Sequence, residues 1–193
     1  TDDFHASEYV GAHFKAREYL SGFTGSAGTL VVLPERAALW TDGRYFLQAS
    51  QQLDGSGIEL MRMGQPGVPE IPDFLRDSVP ENGLIGFDSR TISNDFARRI
   101  GAKTQEKHIR FAGGEDLVGL VWADRPALSC EKLWELDASY AGLSRAEKLA
   151  KVREKMDEAG ADVFIIPALD EIAWLLNVRA GDIDYTPVVI SYL

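Results

Sequence analysis

Arg44 is the side chain in this sequence whose position could serve binding chemistry. It follows Asp42 and Gly43, where the apolar run 37–41 gives way to apolar residues at helical spacing. A guanidinium at such a strand-to-helix corner can be directed out of the fold toward a carboxylate or a carbonyl group. The alternative is an ion pair with Asp42 or another acid, because polar residues at corners often serve only the turn. Both alternatives remain open on the residues alone.

The segment from Gly22 to Gly28 has a glycine at every third position. A phosphate cradle would place its glycines between a strand and a helix, whereas these precede a strand, and no Gly-Lys-Ser/Thr sequence is present. Ser26 lacks the glycine two positions earlier that a nucleophile elbow requires. The glycines are therefore interpreted as a turn in which the backbone has positive φ or another chain segment approaches closely.

The three histidines give no metal site. His5, His13 and His108 are scattered, and none has a second histidine or a cysteine at metal-ligand spacing. His5 and Glu8 would share one face of a helix, but two ligands alone hold a catalytic ion poorly, which favours a solvent-exposed or capping pair. On its own chemistry the segment is predicted to be non-catalytic and to contain no metal ligands.

Composition narrows the class of protein. The 193 residues are 45% hydrophobic with a formal net charge of -10, which is ordinary for a globular protein and opposes nucleic-acid binding. Cys130 is the single cysteine, so no intrachain disulfide can form and a reducing compartment is favoured. No apolar run approaches the ~20 residues needed to span a bilayer, which argues against a membrane partner. No signal peptide is visible, although the sequence does not begin with methionine.

The elements that must position Arg44 are a hairpin and a helix. Residues 29–33 and 37–41 are predicted strands, and residues 46–53 a helix capped by Asp42. Beyond them, strand and helix candidates alternate, as in an α/β domain. They are a strand at 58–63, a helix at 73–78 begun by Pro72, a buried strand at 84–87, a helix at 95–100 capped by Ser93, an edge strand at 107–111, and a helix with Leu117, Leu120 and Val121 on one face.

The C-terminal part begins a second unit after a linker at 126–139. Ser144 and Glu147 predict a capping box for a helix that ends at Gly160. Its apolar stripe consists of Leu149, Val152, Met156 and Ala159. A strand at 163–166, a buried helical turn at 172–176 and a strand at 187–190 follow. The order of acid, helix, glycine turn and strand also runs from Asp3 to Val32, which indicates an internal repeat. We therefore expect a helix and a strand to precede Thr1, and the second domain to continue beyond Leu193.

Four segments carry a resemblance to a known family. They are His5–Tyr9, Ser21–Gly28, Trp40–Ala49 and Leu169–Arg179, and in collinear order they resemble the N-terminal half of the three-domain Xaa-Pro aminopeptidases, the aminopeptidase P type. The resemblance implies an α/β fold of creatinase N-terminal-like (ribonuclease H-like) type, a mixed sheet flanked by helices. It implies a first such domain at 1–138 and the start of a second, similar domain at 139–193.

The resemblance also implies a function. The full-length protein would be a cytoplasmic metallopeptidase that releases the N-terminal residue before proline. Two divalent metal ions, usually manganese in that family, would be held by two Asp, one His and two Glu in a C-terminal catalytic domain, where they lower the pKa of a bridging water and polarise the scissile carbonyl. The N-terminal domains would support a homodimer and narrow access to the catalytic cleft.

One functional residue is carried over. Arg44 falls on the arginine of the family motif Trp-Thr-Asp-Gly-Arg-Tyr-Phe, which implies that it binds the peptide substrate, and Asp42 would orient the corner. Arg179 is not carried over, because Ala180 and Thr186 depart from the family pattern around it.

Two other functions stay open. A stand-alone, non-catalytic pair of creatinase-like domains could bind a peptide or a protein partner. A relative acting on dipeptides or creatine is disfavoured, because such proteins usually have a single N-terminal domain. The open reading frame past Leu193 would separate the first alternative from a peptidase by the presence of the five metal ligands.

Overall fold

The computed structural model describes residues 2–193, which form two compact units. Unit 1 contains residues 2–6 and 14–125, and unit 2 contains residues 7–13 and 126–193. The domain division predicted from the sequence, between residues 138 and 139, stays a prediction.

Unit 1 is built on a three-stranded mixed sheet. Strand β1 (Thr29–Val32) pairs antiparallel with β2 (Ala37–Thr41), which pairs parallel with β3 (Ile58–Arg62). The predicted hairpin and third strand are therefore confirmed. Side chains of β2 alternate between the faces of the sheet. Trp40 packs with Phe74 and Ile100 in one core cluster, and Leu39 packs with Phe23 and Ala49 in another.

Helices cover this sheet, and their ends follow the predicted signals in two cases. The helices are α1 (Ala16–Ser21), α2 (Phe46–Gln52), α3 (Ile71–Ser78) and α4 (Asn94–Thr104). Pro72 lies in the first turn of α3, where a missing N–H costs nothing. The Ser93 hydroxyl accepts the Phe96 N–H at 3.1 Å and caps α4 as predicted.

The predicted cap of α2 is wrong. Tyr45 occupies the N-cap position without a side-chain cap hydrogen bond. The Asp42 carboxylate accepts the backbone N–H of Arg44 instead, at 3.0 Å. Asp42 lies three residues before the cap position, and its carboxylate closes the turn at the end of β2.

Two further predictions in unit 1 are wrong. Strand β4 (Leu84–Gly86) pairs parallel with β5 (Arg110–Ala112) in a separate two-stranded sheet, and Leu84 is exposed rather than buried because its strand has a single neighbour. Residues 117–121 form turns instead of a helix, with Leu120 exposed. Three apolar positions do not offset the cost of nucleating a helix, and the Asp116 carboxylate takes the Gly119 N–H into a local turn.

Unit 2 contains a short antiparallel pair of strands, β6 (Trp134–Glu135) and β7 (Val178–Arg179), and three helices. The helices are α5 (Ala138–Ala141), α6 (Arg145–Ala159) and α7 (Leu169–Leu176). The predicted capping box at Ser144 and Glu147 is confirmed, as is the stop at Gly160, whose φ of 64° is left-handed.

The apolar runs at 163–166 and 187–190 are not strands in this structure. Neither run is part of a helix or a strand, and in the first run only Ile166 has a backbone partner outside its own segment, the backbone of Leu193. A run with high strand propensity needs a neighbouring strand before it forms a ladder. Of the predicted buried turn at 172–176, Ile172 and Leu175 are buried and Trp174 is exposed.

Candidate functional site

Arg44 and Asp42 form a clasp at the end of β2. The Arg44 Nε donates to Asp42 Oδ1 at 2.9 Å, and Nη2 donates to Oδ2 at 2.8 Å. The Asp42 carbonyl accepts the Tyr45 N–H at 3.0 Å. The carboxylate therefore fixes both the turn and the plane of the guanidinium. This is the ion pair with Asp42 that the sequence left open as an alternative, and a substrate contact for Arg44 with Asp42 orienting it stays a prediction.

Tyr45 connects this clasp to the glycine-rich turn. Its hydroxyl lies 2.7 Å from the Ser26 Oγ, and its ring lies 5.1 Å from the Arg44 guanidinium carbon. The same ring meets Phe23 in a T-shaped contact, with the centroids 5.9 Å apart. The tyrosine thus joins the core, the turn and the exposed arginine.

The glycine-rich turn is held by a buried guanidinium. Arg17 Nη1 donates to the Gly28 carbonyl at 2.7 Å, and Nη2 donates to the Gly25 carbonyl. The Thr41 hydroxyl donates to the Ala27 carbonyl at 2.6 Å and ties the turn to β2. A Cβ on Gly28 would lie 2.9 Å from the Trp40 carbonyl oxygen, so the turn packs too closely for a side chain there. The predicted close approach is confirmed at Gly28.

Electrostatics keep the clasp charged. The hydrogen bond from the Arg44 side chain holds the pKa of the Asp42 carboxyl below its ordinary value. Burial lowers the pKa of Arg17 from its ordinary value, but an arginine retains its charge at neutral pH. Both arginines are therefore cations, one turned inward and the other outward.

Arg17 and Tyr45 are the residues that sequence reasoning missed. A charged residue in a short helix is expected to be solvated, and nothing in the sequence places the Arg17 side chain beneath a turn 8 to 11 residues later. Tyr45 could have been found from its place beside Arg44 in the motif that carries the resemblance.

The remaining candidates are not brought together. His13 Nδ1 lies 2.8 Å from the Pro126 carbonyl oxygen, and Cys130 is exposed. Across residues 2–193, no group of three or more His, Cys, Asp or Glu side chains is arranged to hold a metal ion. Within the same range, the helices are too short or too polar to cross a bilayer.

The arrangement can bind a polar group presented from solvent. The Arg44 side chain is 64% exposed while Asp42 holds it in one orientation. A guanidinium whose plane is already fixed loses less side-chain entropy on binding than a mobile one. Its chemistry suits a carboxylate or a carbonyl oxygen, the acceptors of a peptide.

The family of this chain follows from its sequence profile. The creatinase/prolidase N-terminal domain profile matches residues 11–118, and a second profile with the same description matches residues 124–193. The chain therefore belongs to the creatinase/prolidase N-terminal domain family.

Individual relatives agree with the resemblance seen in the sequence. The chain is 42% identical over 196 residues to Aminopeptidase P2 of Arabidopsis thaliana and 40% identical over 195 residues to the Xaa-Pro aminopeptidase ApepP of Drosophila melanogaster. All of this chain is covered, but it spans only 28% and 32% of those two proteins.

A solved structure gives the same result. The X-prolyl aminopeptidase of Caenorhabditis elegans, described as a cytosolic enzyme with a di-nuclear active site, superposes with a TM-score of 0.89 at 36% identity. The superposition covers 100% of this chain and 31% of that protein. The predicted creatinase N-terminal-like α/β fold is confirmed, and the chain is similar to the N-terminal part of these peptidases.

Proposed function

We propose that this chain is the non-catalytic, substrate-positioning part of a metal-dependent Xaa-Pro aminopeptidase. The observation that carries the proposal is the similarity of the whole chain, with a TM-score of 0.89, to one portion of an X-prolyl aminopeptidase. The substrate would be a peptide with proline at its second position, cleaved before the proline. The hydrolytic chemistry would belong to the rest of the longer polypeptide.

Metal ions are proposed only for that remainder. The described residues offer no cluster of ligands, so no step of hydrolysis is assigned to them. Two ions are proposed because the similar nematode enzyme is described as di-nuclear, and manganese is our proposal for their identity. Elemental analysis of the full-length protein should give two ions per subunit.

Arg44 is the residue proposed to contact the substrate. Its guanidinium is oriented by Asp42 and exposed, and a charge-assisted hydrogen bond to a peptide acceptor is worth about 1.5–3 kcal/mol. We expect Arg44→Ala in the full-length enzyme to raise KM or lower kcat, with kcat/KM for an Xaa-Pro peptide reduced about 10- to 100-fold. Metal content should not change.

The chain supplies a matched control for this measurement. Arg90 forms the same clasp with Asp88 in unit 1, with Nε and Nη2 on the two carboxylate oxygens at 3.0 and 2.8 Å. Arg90→Ala removes an equivalent ion pair and should leave kcat/KM within about twofold, because surface ion pairs contribute little to stability. Equal kcat/KM values for the two variants would mean that Arg44 has only a structural role.

Dimerisation, control of cleft access and a cytoplasmic location complete the proposal. Light scattering on the full-length protein tests the homodimer, and fractionation of cells tests the location. A full-length polypeptide loaded with manganese that binds Xaa-Pro peptides without cleaving them would instead support the non-catalytic binding module.

A further inference from the structure

Unit 2 contains an open apolar groove. It has a volume of about 420 Å³ and lies between α6, the segment at 161–164 and the side chain of Trp174. The α6 residues that face it, Val152 and Met156, are only partly buried, although they form the stripe that the sequence predicts for a core. A helix with an amphipathic stripe of this kind normally packs its apolar side against another element.

A row of exposed apolar side chains forms one edge of the same groove. Val163, Phe164 and Ile165 are 74%, 54% and 73% exposed, whereas Ile166 is 5% exposed and packs with Ile172 and Leu175. Large apolar side chains that are exposed in a contiguous row indicate a surface that another segment covers.

Leu193 shows how that edge can be paired. The Ile166 N–H donates to the Leu193 carbonyl at 2.7 Å, and the Leu193 N–H donates to the Ile166 carbonyl at 3.3 Å. Two residues that exchange both hydrogen bonds are a hydrogen-bonded pair of an antiparallel ladder. The chain after Leu193 is therefore aimed back along Ile165, Phe164 and Val163.

We propose that the residues following Leu193 in the longer polypeptide form a strand antiparallel to residues 163–166 and cover this groove. Because side chains alternate along a strand, the second residue after Leu193 lies opposite Phe164 and on the same face as Ile166. Its side chain enters the groove between Phe164 and α6, so it is an apolar residue. The relatives, of which this chain spans 28% to 32%, are long enough to supply such a strand.

Lys148 holds in place the Trp174 side chain that lines the groove. It is the one residue of α6 that is buried, and its Nζ donates to the Trp174 carbonyl at 2.8 Å and to Asn177 Oδ1 at 2.6 Å. The same Nζ lies 4.4 Å from the centroid of the Trp174 ring. The ammonium group thus fixes the indole that forms one side of the groove, and the desolvation caused by burial lowers the pKa of Lys148.

A disulfide cross-link tests the register. In the full-length protein with its other cysteines, including Cys130, replaced by serine, Phe164→Cys is combined with cysteine at the second residue after Leu193. Directly opposite residues of a hydrogen-bonded pair lie about 5.5 Å apart at Cα, within the range that a disulfide spans. We expect an intramolecular disulfide in this variant, and none when the second cysteine is moved to the first residue after Leu193, whose side chain lies on the other face. Absence of the first disulfide, or a disulfide that joins two polypeptides, would overturn the proposal.

Hydrogen exchange tests the same proposal without any substitution. In the ladder, the Phe164 N–H donates to the carbonyl of the second residue after Leu193, so its exchange in the unaltered full-length protein should be at least about tenfold slower than in an unstructured peptide. Exchange of the Phe164 amide at the unstructured rate would refute the pairing, as would a polar second residue in the reading frame.

Discussion

Unit 1 contains two Asp-x-Arg corners that are nearly identical locally and differ in their surroundings. At Asp42 and Arg44, and again at Asp88 and Arg90, the arginine backbone N–H donates to Asp Oδ1 at 3.0 Å. In both, the guanidinium binds the two carboxylate oxygens with Nε and Nη2. Each corner follows the end of a strand, β2 in one case and β4 in the other. Three residues of local sequence therefore suffice to build the clasp.

The surroundings set the two corners apart. Arg44 lies over Tyr45, which reaches the glycine-rich turn through Ser26. Arg90 lies over the ring of Phe4 and 4.0 Å from Asp116, which also pairs with Arg125. Arg90 is part of a network of paired charges, whereas Arg44 lies beside the glycine-rich turn, which Arg17 holds in place. The clasp alone does not mark a binding residue, and the neighbours decide what each arginine can do.

Of the substitutions that distinguish the two corners, Arg17→Met should have the largest effect on stability. It removes two hydrogen bonds to the Gly25 and Gly28 carbonyls inside the protein, and each unsatisfied buried carbonyl costs about 1–3 kcal/mol. We expect the free energy of unfolding to fall by about 2–4 kcal/mol in urea titrations. Arg90→Met removes the pair with Asp88 and the contacts of a mostly exposed guanidinium with Phe4 and Asp116, and it should cost no more than about 1 kcal/mol. A similar loss in both variants would show that the glycine turn does not depend on Arg17.

Gly28→Ala should have the next largest effect. The new methyl group would lie 2.9 Å from the Trp40 carbonyl oxygen, and such overpacking typically costs about 1–3 kcal/mol. Gly114→Ala is the matched control, because no atom lies within 4 Å of a Cβ built there. Thermal unfolding of the two variants should separate them, and equal melting temperatures would mean that the turn can move away from β2.

Tyr45→Phe tests the link between the Arg44 corner and the glycine-rich turn, because it removes only the hydroxyl group. The ring and its contact with Arg44 remain, while the hydrogen bond to Ser26 is lost, at a cost of about 1 kcal/mol. A double-mutant cycle with Ser26→Ala should give a coupling of similar size. Additive losses would contradict a direct link between the corner and the turn.

The smallest expected effect is on acid stability. The hydrogen bond from Arg44 depresses the pKa of Asp42, and the hydrogen bond from Arg90 depresses that of Asp88. A depressed carboxyl pKa stabilises the folded state above the unfolded value of about 3.9, and this contribution is lost as the pH falls through the folded value. NMR titration should place both carboxyls below that value, and Arg44→Ala should raise the pKa of Asp42 while leaving Asp88 unchanged. An unshifted Asp42 in the variant would contradict the assigned cause.

The features that could be predicted from the sequence are those that depend on interactions between residues close in sequence. The hairpin of β1 and β2, the caps at Ser93 and Ser144 and the stop at Gly160 depend on residues close in sequence, and all were predicted correctly. The errors at Asp42 and at 117–121 arose where a nearby carboxylate captured a backbone N–H and closed a turn. Burial of Leu84 failed for another reason, because its strand has only one neighbour.

The sequence by itself determined the fold family, the strand-to-helix corner and the place of Arg44 in it, because these depend on periodicity, turn chemistry and a collinear set of motifs. Only the tertiary structure decided that Arg17 holds the glycine turn, that Tyr45 joins the turn to the corner and that Lys148 is buried against Trp174. These contacts join residues that lie 8 to 26 positions apart. No local pattern specifies them, since a buried charge is stable only where distant backbone carbonyls converge to accept its hydrogen bonds.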